Sequence, residues 1–241
     1  MKTKREESIL DIVDTFEKMA DIILAQLTLL EKYMEGHDKE EPGKIRKEIM
    51  ENENKIDKYE ILISDKFINS IVLYQPVASD IRKIVAIYRM SINLERIGDV
   101  VINILHSVEN IKDAQEYKAM SEVISGMLMS GTVMVEKSLL SFINDDSEYA
   151  IWTIKNDEVI DEMNHKLLLN SISKVNISEK TREMLLSYLD LKNIITNIER
   201  IADHATNIAE ASIYSLKGTD IRHPGLDSNT IINNENKSFQ K

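Results

Sequence analysis

Asn93-Leu94-Glu95-Arg96-Ile97-Gly98-Asp99-Val100-Val101-Ile102-Asn103-Ile104 returns 104 residues later as Asn197-Ile198-Glu199-Arg200-Ile201-Ala202-Asp203-His204-Ala205-Thr206-Asn207-Ile208, with seven of the twelve positions identical. A second pair of segments holds the same offset: Asn52-Glu53-Asn54-Lys55-Ile56-Asp57 aligns with Asn156-Asp157-Glu158-Val159-Ile160-Asp161. One offset kept across two segments and the chain between them marks an internal repeat, which decides architecture before any local reading does. Further upstream the pairing drifts. Leu29-Leu30 best matches Leu139-Leu140, so the first connection of the first copy is longer by six residues, in or near residues 36–43.

Around these segments the apolar residues recur at spacings of three and four, the period of a helix with one buried face. Ile9, Ile12, Phe16, Met19, Ile22, Ile23, Leu27, Leu30 and Tyr33 trace the first such stripe, and Ile45, Ile49, Ile56 and Ile63 the second. The pattern predicts helices near 7–34, 42–73, 77–113, 117–143, 147–175 and 178–216. Seven Gly and three Pro, where average usage would give roughly 17 and 12, fit a helical chain. Most of them sit at breaks: Gly36, Pro42 and Gly43, then Pro76, then Gly218, Pro224 and Gly225. Asn144 to Ser147 and Asn176 to Ser178 mark two more, with Ser178 a good N-cap. Gly98, Gly126 and Gly131 fall inside helices, where close packing is the expected reason. The fold class is therefore all-α, two tandem three-helix bundles. The first repeat is expected over 1–116 and the second over 117–218. A polar, flexible tail is expected over 219–241.

Composition narrows the function. The chain has 241 residues, 43% hydrophobic and 29% charged, which suits a folded protein. It lacks a run of 18 apolar residues, so no membrane-spanning helix is expected. Its first residues do not read as a secretory signal, and a cytoplasmic location is expected. With no Cys, disulfides, thiolate metal sites, iron–sulfur clusters and Cys nucleophiles are excluded. A net charge of −11 argues against non-specific nucleic-acid binding.

The acids carry the sharper signal. Both copies keep Glu, an Asp four residues on and an Asn four beyond that. Such residues drift by about 40° per step and line one narrow stripe of a helix. Glu95, Asp99 and Asn103 form one stripe, and Glu199, Asp203 and Asn207 the other. The middle helix of each copy adds a pair, Glu53 with Asp57 and Asp157 with Asp161. If the second and third helices of a unit pack antiparallel, four carboxylates meet. Together they repel and resist ionisation, a penalty that a multivalent cation removes. Oxygen-only ligands suit Mg²⁺, Ca²⁺, Mn²⁺ or iron. A single such pair would be read as a solvated face; four at matched places favour metal. Repeated Arg96 and Arg200 are expected to ion-pair with the acids, with an anion contact as the sharper alternative. Asn93, Asn103, Asn197 and Asn207 could support ligands or simply tie helices together.

Other features weigh less. Glu162 and His165 make one copy of the Glu-x-x-His pattern that di-iron bundles use twice, and read as a surface pair. His106 reads as packed or half-exposed. His204 follows Asp203 and could reach the same site, although the first copy has Val100 there. His37 and His223 fall in loops. Met127, Met129 and Met134 read as packing. The apolar fourth helix is expected to be central or to serve an interface.

The two Glu-Arg-Ile-x-Asp segments, Gln75-Pro76-Val77-Ala78-Ser79-Asp80-Ile81-Arg82 and Gly218-Thr219-Asp220-Ile221-Arg222-His223 resemble the signatures of the PhoU family of phosphate-uptake regulators, over about residues 7–223. The resemblance implies two three-helix bundles related by a pseudo-twofold. It implies multinuclear metal clusters held at Glu53, Asp57, Glu95 and Asp99 and at Asp157, Asp161, Glu199 and Asp203. Iron or zinc would come first, with Mg, Mn or Ca as alternatives. It further implies a non-enzymatic, dimeric regulator that lowers phosphate uptake when phosphate is plentiful. Its partners would be a sensor histidine kinase and the ATPase subunit of the phosphate ABC transporter. Alternatives are an accessory protein of another phosphate permease and a carboxylate-bridged metalloenzyme.

Overall fold

The computed structural model describes residues 2–36, 43–111, 114–173 and 182–222. The expected Ser178 cap, His37, His223 and the tail beyond Arg222 lie outside them. Six helices follow in order: α1 (Lys4–Met34), α2 (Lys44–Tyr74), α3 (Ala78–Asn110), α4 (Ala114–Ile143), α5 (Ser147–Ser173) and α6 (Arg182–Lys217). Among the described residues there is no strand. Each helix lies within a few residues of its predicted span. α1 opens on a capping box, in which the Thr3 side chain accepts from the Glu6 amide and Glu6 accepts from that of Thr3. α2 starts after Gly43, which takes φ 84°, a conformation that only glycine adopts freely.

Helices α1 to α3 pack on one another, as do α4 to α6. The two bundles meet through α3 against α6 and α1 against α4, which are repeat equivalents, as a pseudo-twofold requires. One continuous core runs through both. It takes Ile12, Phe16, Ile23, Leu27 and Leu30 from α1, Ile56 and Ile63 from α2, and Ile87, Leu94, Ile97 and Ile104 from α3. The second bundle adds Met127, Val135, Ile160, Ile198, Ile201 and Ile208. Phe16 meets Phe142 edge to face at 5.5 Å, which ties α1 to α4.

α4 is long and apolar enough over Met120–Ile143 to cross a membrane by length and composition. It packs against α1, α5 and α6 and buries Ile124, Met127, Leu128, Met134, Val135 and Leu139, so its apolar content is that of a core helix. Met129 departs from the expected packing role, being 58% exposed. Of the glycines inside helices, Gly131 faces α6, but a Cβ there would meet Ile201 Cγ2 at 3.6 Å, an ordinary contact, so the approach does not require glycine. Gly126 corrects the expectation: a Cβ there would meet nothing within 4 Å, so packing does not require it.

The chain after α6 is also more ordered than its composition suggests. Gly218, at φ 70°, turns the chain beside Arg82. Ile221 then packs with Ala150, Ile151, Ala209 and Ile213. Asp220 accepts from Arg222 Nε at 2.8 Å and pairs with Arg89 at 3.5 Å. One buried Ile and one shared carboxylate hold residues 218–222 to the bundle junction, where a flexible tail was expected from 219 onward.

Candidate metal centres

The α2–α3 hairpin sets the register of the first site. Three residues, Gln75 to Val77, join the helices, and so short a connection makes them antiparallel neighbours. Glu53 lies 21 residues before the end of α2 and Gly98 lies 20 after the start of α3. At 1.5 Å per residue both stand about 30 Å from the turn, and so at one level. The repeat offset carries this level over to Asp157 on α5 and Ala202 on α6.

Burial follows the same pattern in both copies. Glu53, Glu95, Asp157 and Glu199 are half-buried, while Asp57, Asp99, Asp161 and Asp203 are exposed. Each groove thus has two inner and two outer carboxylates. In the first, burial and then repulsion from Asp57, Asp99 and Glu95, against the hydrogen bond from Gln26, together raise Glu53 to about 7. Burial also raises Glu95, with Asp99 next. In the second, burial raises Asp157 to about 6, with Asp203 and Asp161 adding repulsion. Glu199 and Asp203 are raised for the same reasons. All eight predicted residues therefore fall into two mutually repelling quartets.

Fit to a cation can be judged from the donors. Every one is a carboxylate oxygen, the donor type of hard and intermediate cations. Asp157 Oδ1 is buried without a hydrogen-bond partner, and Thr206 Oγ1, close enough to temper the rise of Asp157, also lacks a well-aligned one. Glu53 Oε2 occupies the space a Cβ would fill at Gly98. Among the described residues no three Asp, Glu or His side chains converge on one point as a closed metal cage would. The donor set fits a cation, and a closed cage would need the outer carboxylates to swing inward.

Gln26, which the sequence reading did not single out, is fully buried on α1 and donates from Nε2 to Glu53 Oε2 at 3.1 Å. The arginines correct their expected role. Among the described residues neither Arg96 nor Arg200 ion-pairs with an acid. Each is exposed and lowers its neighbour, Glu95 or Asp203, through space only.

His204 leaves the acid groove altogether. Consecutive helical residues point about 100° apart, and its Nδ1 lies 3.0 Å from Asn93 Oδ1 across the α3–α6 junction. Asn93 Nδ2 donates to the Arg89 carbonyl at 2.9 Å, which leaves Oδ1 as acceptor and assigns the imidazole proton to Nδ1. Burial, with Arg96 and Arg200 nearby, holds His204 down to about 4. Asn93 thus ties helices together. Asn103 and Asn207 are exposed.

The weaker candidates stay apart. Glu162 pairs with Lys166 at 2.8 Å, and His165 is exposed. His106 is exposed, 3.4 Å from Glu109. A groove of about 1210 Å³ is lined by Tyr33, Val108, Tyr117, Gly126 and Met129 and includes no member of either quartet.

Comparison with known proteins bears on the fold and the family. The PhoU domain matches residues 16–108 and again 124–212. A Burkholderia protein named phosphate-specific transport system accessory protein PhoU homolog is 33% identical over 178 residues, 73% of this chain and 74% of the relative. A Thermotoga maritima relative of the same description, homolog 1, is 28% identical over 74% of this chain and 75% of its own. The crystal structure of PhoU from Pseudomonas aeruginosa superposes with a TM-score of 0.72 at 21% identity, covering 88% of this chain and 99% of that one. That of the phosphate transport system regulatory protein PhoU from Streptococcus pneumoniae also gives 0.72, over 90% and 99%. With two PhoU domains spread over an all-helical tandem repeat, the chain belongs to the PhoU family.

Proposed function

We propose that this chain is a non-enzymatic regulator of inorganic phosphate uptake and of phosphate-responsive signalling. It binds metal in its two carboxylate grooves and lowers uptake when phosphate is plentiful. It acts in the cytoplasm, as a dimer, through the ATPase subunit of a phosphate ABC transporter and a sensor histidine kinase. The names of its relatives support the transport role. The observation that carries the metal half is the doubling of one four-carboxylate groove, with the same inner and outer positions, on equivalent helices of both repeats.

Glu53, Asp57, Glu95 and Asp99 would hold one cation group, and Asp157, Asp161, Glu199 and Asp203 the other. A cation there supplies charge neutralisation that lets all four acids ionise together. The protein's own part is to set the helices at one level and to fix the inner acids, as Gln26 does for Glu53. The core is apolar and continuous without the grooves, so metal would adjust the shape of the grooves and need not drive folding.

The test is replacement of the gene by variants in its own host, with phosphate uptake measured in phosphate-rich medium. Loss of the gene should raise uptake, and Ala at Glu95, Asp99, Glu199 and Asp203 should do the same while the protein accumulates normally. Uptake unchanged on deletion would refute the transport role. Uptake unchanged in the quadruple variant alone would refute the role of the grooves.

A further inference from the structure

The two grooves differ at one paired position. A Cβ at Gly98 would stand 2.7 Å from Glu53 Oε2 and 3.4 Å from Ile56 Cδ1. Favourable contacts between such atoms lie near 3.5–4.0 Å, so any side chain at 98 must displace that oxygen. The oxygen is also held, by Gln26 Nε2 at 3.1 Å, from an amide that is itself fully buried. Moving it stretches that bond. In the second copy the residue equivalent to Gly98 is Ala202, fully buried, and the acid equivalent to Glu53 is Asp157. Aspartate is shorter by one methylene, which withdraws the carboxylate by about 1.5 Å. The long acid stands opposite a bare Cα and the short acid opposite a methyl group.

We infer that the bare Cα of Gly98 gives the long inner acid Glu53 its place, which makes Gly98 a positioning residue for the first cation site, whereas the shorter Asp157 of the second site needs no such room opposite Ala202. In the first groove the inner carboxylate is tied to α1 through Gln26. In the second, Asp157 Oδ1 is buried and, among the described residues, has no hydrogen-bond partner. The inference rests on the metal reading above and assigns a steric partner that the acid motif does not include.

The full chain is titrated with Mn²⁺ by calorimetry as wild type, Gly98→Ala, Glu53→Asp, the double variant and Ala202→Gly. Wild type should take cation at both grooves. Gly98→Ala should weaken one of them about tenfold, in the range seen when support around a ligand is lost, and leave the other unchanged. Adding Glu53→Asp should recover affinity to within about threefold, because the shorter acid clears the new methyl. Ala202→Gly should leave binding unchanged, since Asp157 is too short to use the space. Thermal unfolding of the same set in excess chelator gives an independent readout: Gly98→Ala and Glu53→Asp should be non-additive. Wild type binding at both grooves with Gly98→Ala binding identically would overturn the inference and leave the metal reading intact. A double variant no better than Gly98→Ala would also overturn it. Wild type that binds no Mn²⁺ would overturn the metal reading and the inference with it.

Discussion

Glu53→Gln should stabilise the metal-free protein at pH 8 and weaken its response to metal. The carboxyl of Glu53 is raised from 4.5 to about 7, first by burial and then by the acids around it. At 1.36 kcal/mol per decade that is about 3 kcal/mol against the ionised form. The residue is partly exposed and its neighbours are screened by water, so about 1.5 kcal/mol is the expected effect. The sign follows from proton counting. Between pH 4.5 and 7 the folded chain holds a proton that the unfolded chain has released, so stability falls as pH rises through that window. The penalty is absent below pH 4.5 and complete above pH 7. Glutamine keeps the shape, and its carbonyl can accept the Gln26 hydrogen bond, but it carries no charge. In excess chelator, calorimetric melting should show Glu53→Gln about 3–6 °C above wild type at pH 8 and close to it at pH 5. With saturating Mn²⁺ the order should invert, because wild type gains from binding to the native state and the variant gains less. A variant no more stable than wild type at pH 8 in chelator, or equally stabilised at both pH values, would refute the reasoning.

Gly126→Ala should raise stability by about 1 kcal/mol in urea unfolding, since it adds helix propensity where nothing blocks a methyl; a loss would show a constraint at that position. His204→Ala should cost about 1–3 kcal/mol by leaving Asn93 Oδ1 without its donor at the α3–α6 junction, also read by urea unfolding. The His204 imidazole, held down to about 4, should stay neutral by NMR at pH 5.5; its share of stability is lost as pH falls from 6.5 through 4. Phe16→Ala should cost about 3–5 kcal/mol, because it empties a fully buried site shared by both bundles. Removing bound metal with chelator should lower the melting temperature without unfolding the protein, and unfolding at room temperature would show that the core depends on it.

The helices were legible because their apolar spacing is regular and because the repeat showed which segments correspond. The level of the carboxylates was legible from the repeat and from the short break at Pro76. What the sequence hid was decided across helices. Gln26 had a signal of its own, since it sits among Ile23, Leu27 and Leu30 at a spacing that the helical period reserves for the core. A polar residue at such a place needs a buried partner, but only the packing of α1 against α2 shows that the partner is Glu53. Adjacency to Asp203 leaves open that His204 reaches the acids, and the helical rotation turns it to Asn93 instead. Arg96 and Arg200 repeat with the acids, which suggests partners, yet both are exposed and, among the described residues, unpaired. Gly98 was rightly read as a close approach, but not as an approach to an acid. Ile221 was hidden in a polar stretch, where one apolar residue carries little periodic signal.

Anomalous diffraction from crystals incubated with Fe²⁺, Mn²⁺ or Zn²⁺, with metal content measured on the same protein, puts the two grooves to the test. Peaks should stand between α2 and α3 beside Glu53, Asp57, Glu95 and Asp99, and between α5 and α6 beside Asp157, Asp161, Glu199 and Asp203. Fully formed crystals with no peak in either groove, from protein that retains no metal, would contradict the reading of these quartets as cation sites.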